Sequence, residues 1–420
     1  MMKTKLLISL MVVCSIFAAT ISACSSKSEA AVENLQNPDL LKTNAFEGAL
    51  LTATYAFGKE NETPTQTSLP TSQLVAETET PQPEDTPTTL VLVPTYSGER
   101  PSLDMFITNI LDPGEESVQY FDDNCQYLEM RWNKDNSIPG TVVVPVMFHS
   151  IKSNGNEAAE NMDITEADFI SLMDTVHAYD FEVITLDQML DFVYNNGKIP
   201  ARSLLIIVDD RKFAEYFRDH FKPYYDQFGW TVVNAFISKP DNTQELWDEN
   251  ADLEFEGWVN HQAHGVIHNI PFDTSIDTYD TSAFGGPGIL SAQDYISNEM
   301  EGSIKAFEEH FNKKPVAYIW AGGGYTSQAI EIGRELGYQI GFTAKEIGPV
   351  MFNWVTADEQ AKSMGDPLMV IPRYWSRWVS YRLVDEVIEI QNQAISYAEQ
   401  NKPFEYQWYQ TYCAGYPPLP

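Results

Sequence analysis

The chain has 420 residues, with 26 lysines and arginines against 60 aspartates and glutamates, for a net charge of −34. Such an excess of negative charge opposes binding to nucleic acid and adhesion to anionic lipid headgroups, and says nothing about fold. Beyond the first two dozen residues no stretch is long and apolar enough to span a bilayer.

The opening MMKTKLLISLMVVCSIFAATISAC combines a lysine-bearing start, an apolar run from Leu6 to about Ala19 and small residues before a cysteine, the pattern of a secretory signal. The apolar run is too short for a convincing membrane span. Ile21-Ser22-Ala23-Cys24 resembles the bacterial lipoprotein box. That resemblance implies a signal peptide over 1–23, lipid attachment at Cys24 and an extracytoplasmic location on a bacterial membrane. An ordinary secretory signal with a chance cysteine is the alternative. Losing residues 1–23 removes two lysines and leaves 24 basic against 60 acidic residues, a net charge of −36. From 24 to 102 the chain is rich in Thr, Pro, Glu, Ser and Gln and poor in aromatics, a composition that buries too little apolar surface to offset its ordering entropy. It reads as a flexible, semi-extended tether, with a local helix expected at 37–57.

Residues 103–420 carry most of the Trp, Tyr and Phe and form the globular part. TVVVPVMFHSI (141–151) reads as a strand and 164–180 as a helix capped by Thr165. FEVIT (181–185) reads as strand, LDQMLDFVYNN as a helix stopped by Gly197, and SLLIIVDD (203–210) as a buried strand. A helix follows over 213–228, then a strand over 230–238 and a long amphipathic helix over 293–311. PVAYIWA is a strand, TSQAIEIGRELG a helix closed by Gly337 and YQIGFTA another strand. A helix is expected near 381–400. This alternation argues for parallel β-structure with helices outside, as an α/β barrel or an open doubly wound sheet. Cys125 and Cys413 are free to pair if the fold brings them together.

In such barrels chemistry gathers at the C-terminal strand ends, where Asp209 and Asp210 end LLIIVDD. Two carboxylates there are costly unless something pairs with them. Of the seven histidines, three fall in GWVNHQAHGVIHN as His261, His264 and His268. His264 and His268 are four apart, which puts both rings on one helical face or at opposite ends of a short turn. A carboxylate with two histidines suits a divalent metal with positions left open for water.

The assembled set resembles the polysaccharide deacetylases, nearest in motif layout to the poly-N-acetylglucosamine deacetylase branch. Their hallmark is a strand ending in Thr-Phe-Asp-Asp-Gly, then His-Ser/Thr-x-x-His later in the chain. Here Ile207-Val208-Asp209-Asp210-Arg211 fills the first place and His264-Gly265-Val266-Ile267-His268 the second. Ala317–Tyr325 resembles the family's strand-to-loop segment, and the likeness covers about 140–375. It implies a distorted, incomplete (β/α) barrel and a metal-dependent hydrolase that removes N-acetyl, or O-acetyl, groups from an envelope or extracellular polysaccharide. By the same resemblance Asp210, His264 and His268 bind one divalent ion. Zinc comes first, with cobalt, nickel or iron also suited. Asp209 is the general base, beside the ion rather than bound to it. A backbone N–H at Arg211–Phe213 would help hold the oxyanion. That branch takes its histidine from an early strand reading roughly Met-Tyr-His, which implies His149, in VMFHS, as general acid, with His261 as the fallback. His177 and His220 fall on expected helices and read as surface residues.

Three motif positions differ. Arg211 replaces the glycine after the aspartates, Gly265 replaces Ser/Thr, and Trp320-Ala321-Gly322 replaces Arg-Pro-Pro. Arg373, in VIPRYW, is the available substitute for the missing arginine, a further substrate contact or equally a surface residue. Trp320 and Tyr325, flanking a glycine loop at a strand end, are expected to stack on sugar. Partners are therefore a polysaccharide and, through the lipid anchor only, a membrane. Two rivals remain. One is a non-catalytic glycan-binding lipoprotein of the same fold, in which Arg211 has displaced the metal. The other is a glycosidase using Asp209 with a distant carboxylate. Residues 376–420 lie beyond the resemblance and would complete the barrel or cap its cleft.

Overall fold

The computed structural model describes residues 106–112, 115–153 and 162–420. The leader, Cys24, the segment to 102 and the helix expected at 37–57 lie outside the described residues.

Six parallel strands run side by side in chain order: β1 (Val142–Phe148), β2 (Arg202–Asp209), β3 (Val232–Phe236), β4 (Val259–Ala263), β5 (Ala317–Ile319) and β6 (Ile340–Phe342). Beyond β1 the sheet continues antiparallel through Val350–Met351, Trp354–Ala357 and Glu116–Val118. On the far side the gap between β6 and β1 is bridged only thinly. Ile371 makes one parallel bridge to Phe342, and β7 (Tyr374–Trp375) pairs with Val146 and Met147 of β1. The result is an incomplete (β/α) barrel rather than an open doubly wound sheet.

Alternation along the strands separates inside from outside. Val142, Val144, Val146 and Phe148 of β1, with Leu204, Ile206 and Val208 of β2, pack outward against Phe169, Leu172 and Phe217 of the helices. Val143, Leu205, Ile207, Val233, Ala317, Ile319 and Phe342 share the core that fills the barrel. Burial of both faces explains why these strands read as unbroken apolar runs. Continued by one step, the inward parity of 205 and 207 brings Asp209 to the barrel mouth. The parity of 143 does the same for His149.

The helices begin where the sequence signals. α1 (Asn124–Trp132) is capped by Asp123, and α2 (Glu166–Ala178) by Thr165, whose hydroxyl accepts from the Asp168 N–H. α3 (Leu186–Asn195) has a full capping box from Thr185 and Gln188, but its left-handed cap is Asn196 at φ 53°, one residue before the expected Gly197. The helix expected over 213–228 is two: α4 (Ala214–His220) and α5 (Lys222–Phe228). Pro223 accounts for the break, since it has no N–H and its ring crowds the carbonyl one turn back. α6 (Gln244–Phe255) was not evident from the sequence. α7 (Ala292–Phe311) and α8 (Ser327–Leu336) match expectation, Gly337 closing the latter at φ 93°.

The C-terminal helix α9 (Ile388–Tyr412) is longer than expected and crosses the end of the barrel away from the aspartates. Its Gln391 amide donates to the carbonyls of Gly140 and Ala201 and accepts from Arg202 Nε, all at the starts of β1 and β2. In the first part of the C-terminal extension Val379, Leu383 and Val387 join the outer core with β1 and β2, so that part adds to the barrel's helical layer, whereas α9 lies at the end away from the aspartates. A Cys125–Cys413 disulfide joins α1 to the end of α9 across 288 residues of sequence. It constrains the unfolded chain over a very long loop.

Candidate active site

β2 ends in two aspartates whose side chains would point oppositely on an ideal strand. Asp210 instead adopts a left-handed backbone at φ 62°, uncommon for a residue with a side chain. The turn swings its carboxylate to the same side as that of Asp209. Asp210 Oδ1 then lies 3.6 Å from His264 Nε2 and 3.3 Å from His268 Nε2, and Asp209 Oδ2 lies 4.0 Å from His264 Nε2.

The two histidines meet across a turn rather than on a helical face. Gly265 at φ 87° and His268 at φ 65° fold the chain back, so that the ring Nε2 atoms approach to 3.0 Å. His264 Nδ1 donates to the Ile319 carbonyl at 2.8 Å, which fixes the tautomer and leaves the Nε2 lone pair facing the cluster. Burial opposes charge on His264, but Asp210 and Asp209 outweigh it and raise its pKa. His268, buried and beside His264, falls to about 4.

Asp209 is buried, and Arg373 Nη1 donates to its Oδ1 at 2.7 Å. Burial pushes the Asp209 carboxyl up, yet Arg373 and the neighbouring histidines hold it below the ordinary carboxylate range. Arg373 Nε is spent on the Thr343 carbonyl, and the side chain is 1% exposed. Arg373 thus stands where the missing motif arginine would act. At 1% exposure Arg373 presents no open face for the substrate contact expected of it, and its guanidinium lies against Asp209 instead.

His149 follows β1, its Nε2 3.8 Å from Asp209 Oδ2 and its ring stacked on Trp375 at 5.7 Å. Burial lowers its pKa, and its Nδ1 is buried without a partner. Tyr216 Oη fixes the backbone there by donating to the His149 carbonyl. His261 is not brought to the cluster. Nδ1 contacts Glu254 Oε2 at 2.8 Å and Nε2 contacts Asn250 Oδ1 at 2.9 Å, so neither nitrogen is left for a ligand. His177, His220 and His310 lie against Phe228, Tyr216 and Trp247.

Trp320 and Tyr325 are 0% and 1% exposed. Trp320 shares the outward parity of Tyr318 on β5, donates to the Met369 carbonyl and packs on Phe272. Their placement corrects the sugar-stacking expectation: the flanking glycine loop signalled close chain approach, not a binding face. Arg211 pairs with neither aspartate. Its guanidinium lies over the Tyr216 ring at 5.9 Å.

Asp210, His264 and His268 are the group of potential ligands found among the described residues, their donor atoms all within 4.8 Å of one another. Asp210 Oδ1 is buried with no hydrogen-bond donor, and two imidazole nitrogens at 3.0 Å need a proton or a cation between them. One carboxylate and two neutral imidazoles suit zinc, cobalt, nickel or iron, so the residues fit a divalent ion.

No protein-family model matches the sequence, and no curated protein matches it. Solved structures do. The Streptococcus pyogenes deacetylase PplD in complex with acetate shares 14% identity, with 59% of this chain and 98% of that one covered, at a TM-score of 0.44. IcaB from Ammonifex degensii shares 14%, covering 60% of this chain and 100% of its own, at 0.43. The BpsB deacetylase domain from Bordetella bronchiseptica shares 15%, covering 58% and 97%, at 0.41. The protein is an incomplete (β/α) barrel, and the solved structures similar to it at these scores include the deacetylase PplD and the BpsB deacetylase domain.

Proposed function

We propose that this protein is a metal-dependent hydrolase that removes acetyl groups from the nitrogen of an N-acetylated polysaccharide. The observation that carries the reading is the convergence, at one strand end, of three metal-type donors with an arginine-held carboxylate and a histidine. Asp210, His264 and His268 would hold a divalent ion, which would supply an acidified water and polarise the acetyl carbonyl. Asp209, aimed by Arg373, is placed to accept a proton from the attacking water. His149 delivers a proton to the departing amine nitrogen; burial lowers its pKa, and the adjacent Asp209 carboxylate offsets only part of that. Trp375, stacked on His149, keeps the ring in place. The position of Arg211 over Tyr216, rather than on Asp209 or Asp210, supports the hydrolase over a metal-displaced binding module.

The test uses the full chain and a soluble N-acetylglucosamine oligomer. Zinc at one equivalent and acetate release abolished by a chelator are expected. His149→Gln should lower kcat by about 10²–10⁴ while zinc stays bound. A full-length protein that takes up no zinc or cobalt would sink the reading. We extend the proposal to location. The resemblance of Ile21–Cys24 to a lipoprotein box supports acylation at Cys24 and an extracytoplasmic position. An alkyne-tagged fatty acid fed to expressing bacteria should label the wild type and not Cys24→Ala, and equal labelling of both would refute the anchor.

A further inference from the structure

The loop that presents His264 and His268 is irregular, yet its backbone donors are not left to solvent. Glu299, in the middle of α7, reaches under it. Glu299 Oε2 accepts from the N–H groups of Val266 and His268, each at 2.9 Å, and Oε1 from Ile267 at 2.8 Å. The residue is 2% exposed. Three successive backbone N–H groups form a concave anion seat, here filled by the protein's own carboxylate. Gly265 belongs to the same arrangement. A Cβ there would fall 2.4 Å from Glu299 Oε2, closer than any real contact. Glycine at this position is therefore what lets the carboxylate come close, and the φ of 87° adds a second reason.

We propose that Glu299 is a positioning residue that sets the spacing of the two histidine ligands by clamping the Val266–His268 backbone from beneath. The inference rests on the metal-site reading above. Glu299 contacts neither ion nor substrate and acts only through the loop. His264 is fixed separately by the Ile319 carbonyl, whereas the contacts of the His268 ring are with the other two members of the set, His264 at 3.0 Å and Asp210 at 3.3 Å. The backbone clamp at His268 therefore determines where the second imidazole stands.

The test compares the zinc dissociation constant of the full chain, by competition with a chromophoric chelator, across wild type, Glu299→Gln and Gly265→Ala. An amide offers a single acceptor oxygen and turns an NH2 toward the loop donors. Glu299→Gln should weaken zinc about 10–100-fold, the usual loss when a partner behind a ligand is removed. Gly265→Ala should do the same from the other side, and its penalty should shrink in a Glu299→Ala background, where the carboxylate no longer meets the new Cβ. Folded Glu299→Gln binding zinc within twofold of wild type overturns the inference. Should the variants not fold, hydrogen exchange on the wild type decides. The amides of Val266, Ile267 and His268 should be protected although they lie in a loop, and fast exchange overturns the clamp. Failure of the wild type itself to bind zinc would instead overturn the proposed function.

Discussion

Replacing Asp210 by asparagine should leave the metal-free fold intact while weakening zinc binding by more than about 100-fold, beyond what loss of a supporting partner costs. The substitution is nearly isosteric, and asparagine tolerates the left-handed backbone that Asp210 adopts at φ 62°. What disappears is the charge on Oδ1, the atom facing both imidazoles at 3.6 and 3.3 Å. A ligand that binds only the folded state raises its melting temperature. Added zinc should therefore stabilise the wild type and not Asp210→Asn, as differential scanning calorimetry would read, and acetate release should vanish with it. Equal zinc stabilisation of both proteins would remove Asp210 from the ligand set.

Arg373→Met should be strongly destabilising as well as inactivating. The guanidinium and the Asp209 carboxylate are both almost fully buried, and removing one partner of such a pair costs about 3–5 kcal/mol because the other charge is left uncompensated. Adding Asp209→Asn to Arg373→Met should recover much of that loss, since the double variant buries no unpaired charge. The pH dependence has a definite sign. Asp209 has its pKa depressed in the folded state, so its contribution is present above the unfolded value near 4 and is lost as pH falls through the folded value. The stability gap between wild type and Arg373→Met should be full at neutral pH and narrow in acid, as urea titrations at several pH values would show. An Arg373 that merely touched substrate would instead raise KM at unchanged stability. That outcome would return it to the role first expected of it.

Several features were legible in the chain because they are local. That Leu205, Ile207 and Asp209 share one face, and Tyr318 and Trp320 another, follows from strand alternation, but which face points into the barrel was set by the packing. Thr165 and Thr185 marked helix starts because capping is decided within four residues. Pro223 carried the break between α4 and α5, but the unbroken aromatic pattern around it masked that signal. Glu299 also left a trace. It is an acidic residue within the apolar stripe of Tyr295, Ile296, Met300, Ile304 and Phe307, where a charge needs a partner.

What the sequence by itself determined was the alternating β/α order, the strand end that carries Asp209 and Asp210, and a metal-type set of one carboxylate and two histidines. These depend on periodicity and on residue chemistry, which neighbours in the chain specify. Only the tertiary structure decided that Arg373, 164 residues from Asp209, is its partner. It likewise decided that His261 is consumed by Glu254 and Asn250 while His149 faces the site. Cys125 meets Cys413, and α9 closes the end of the barrel away from Asp209 and Asp210. Each of these pairings joins distant segments, and their meeting is set by how the sheet curves and which gap the segment 371–375 bridges, a property of the closed packing rather than of any local pattern.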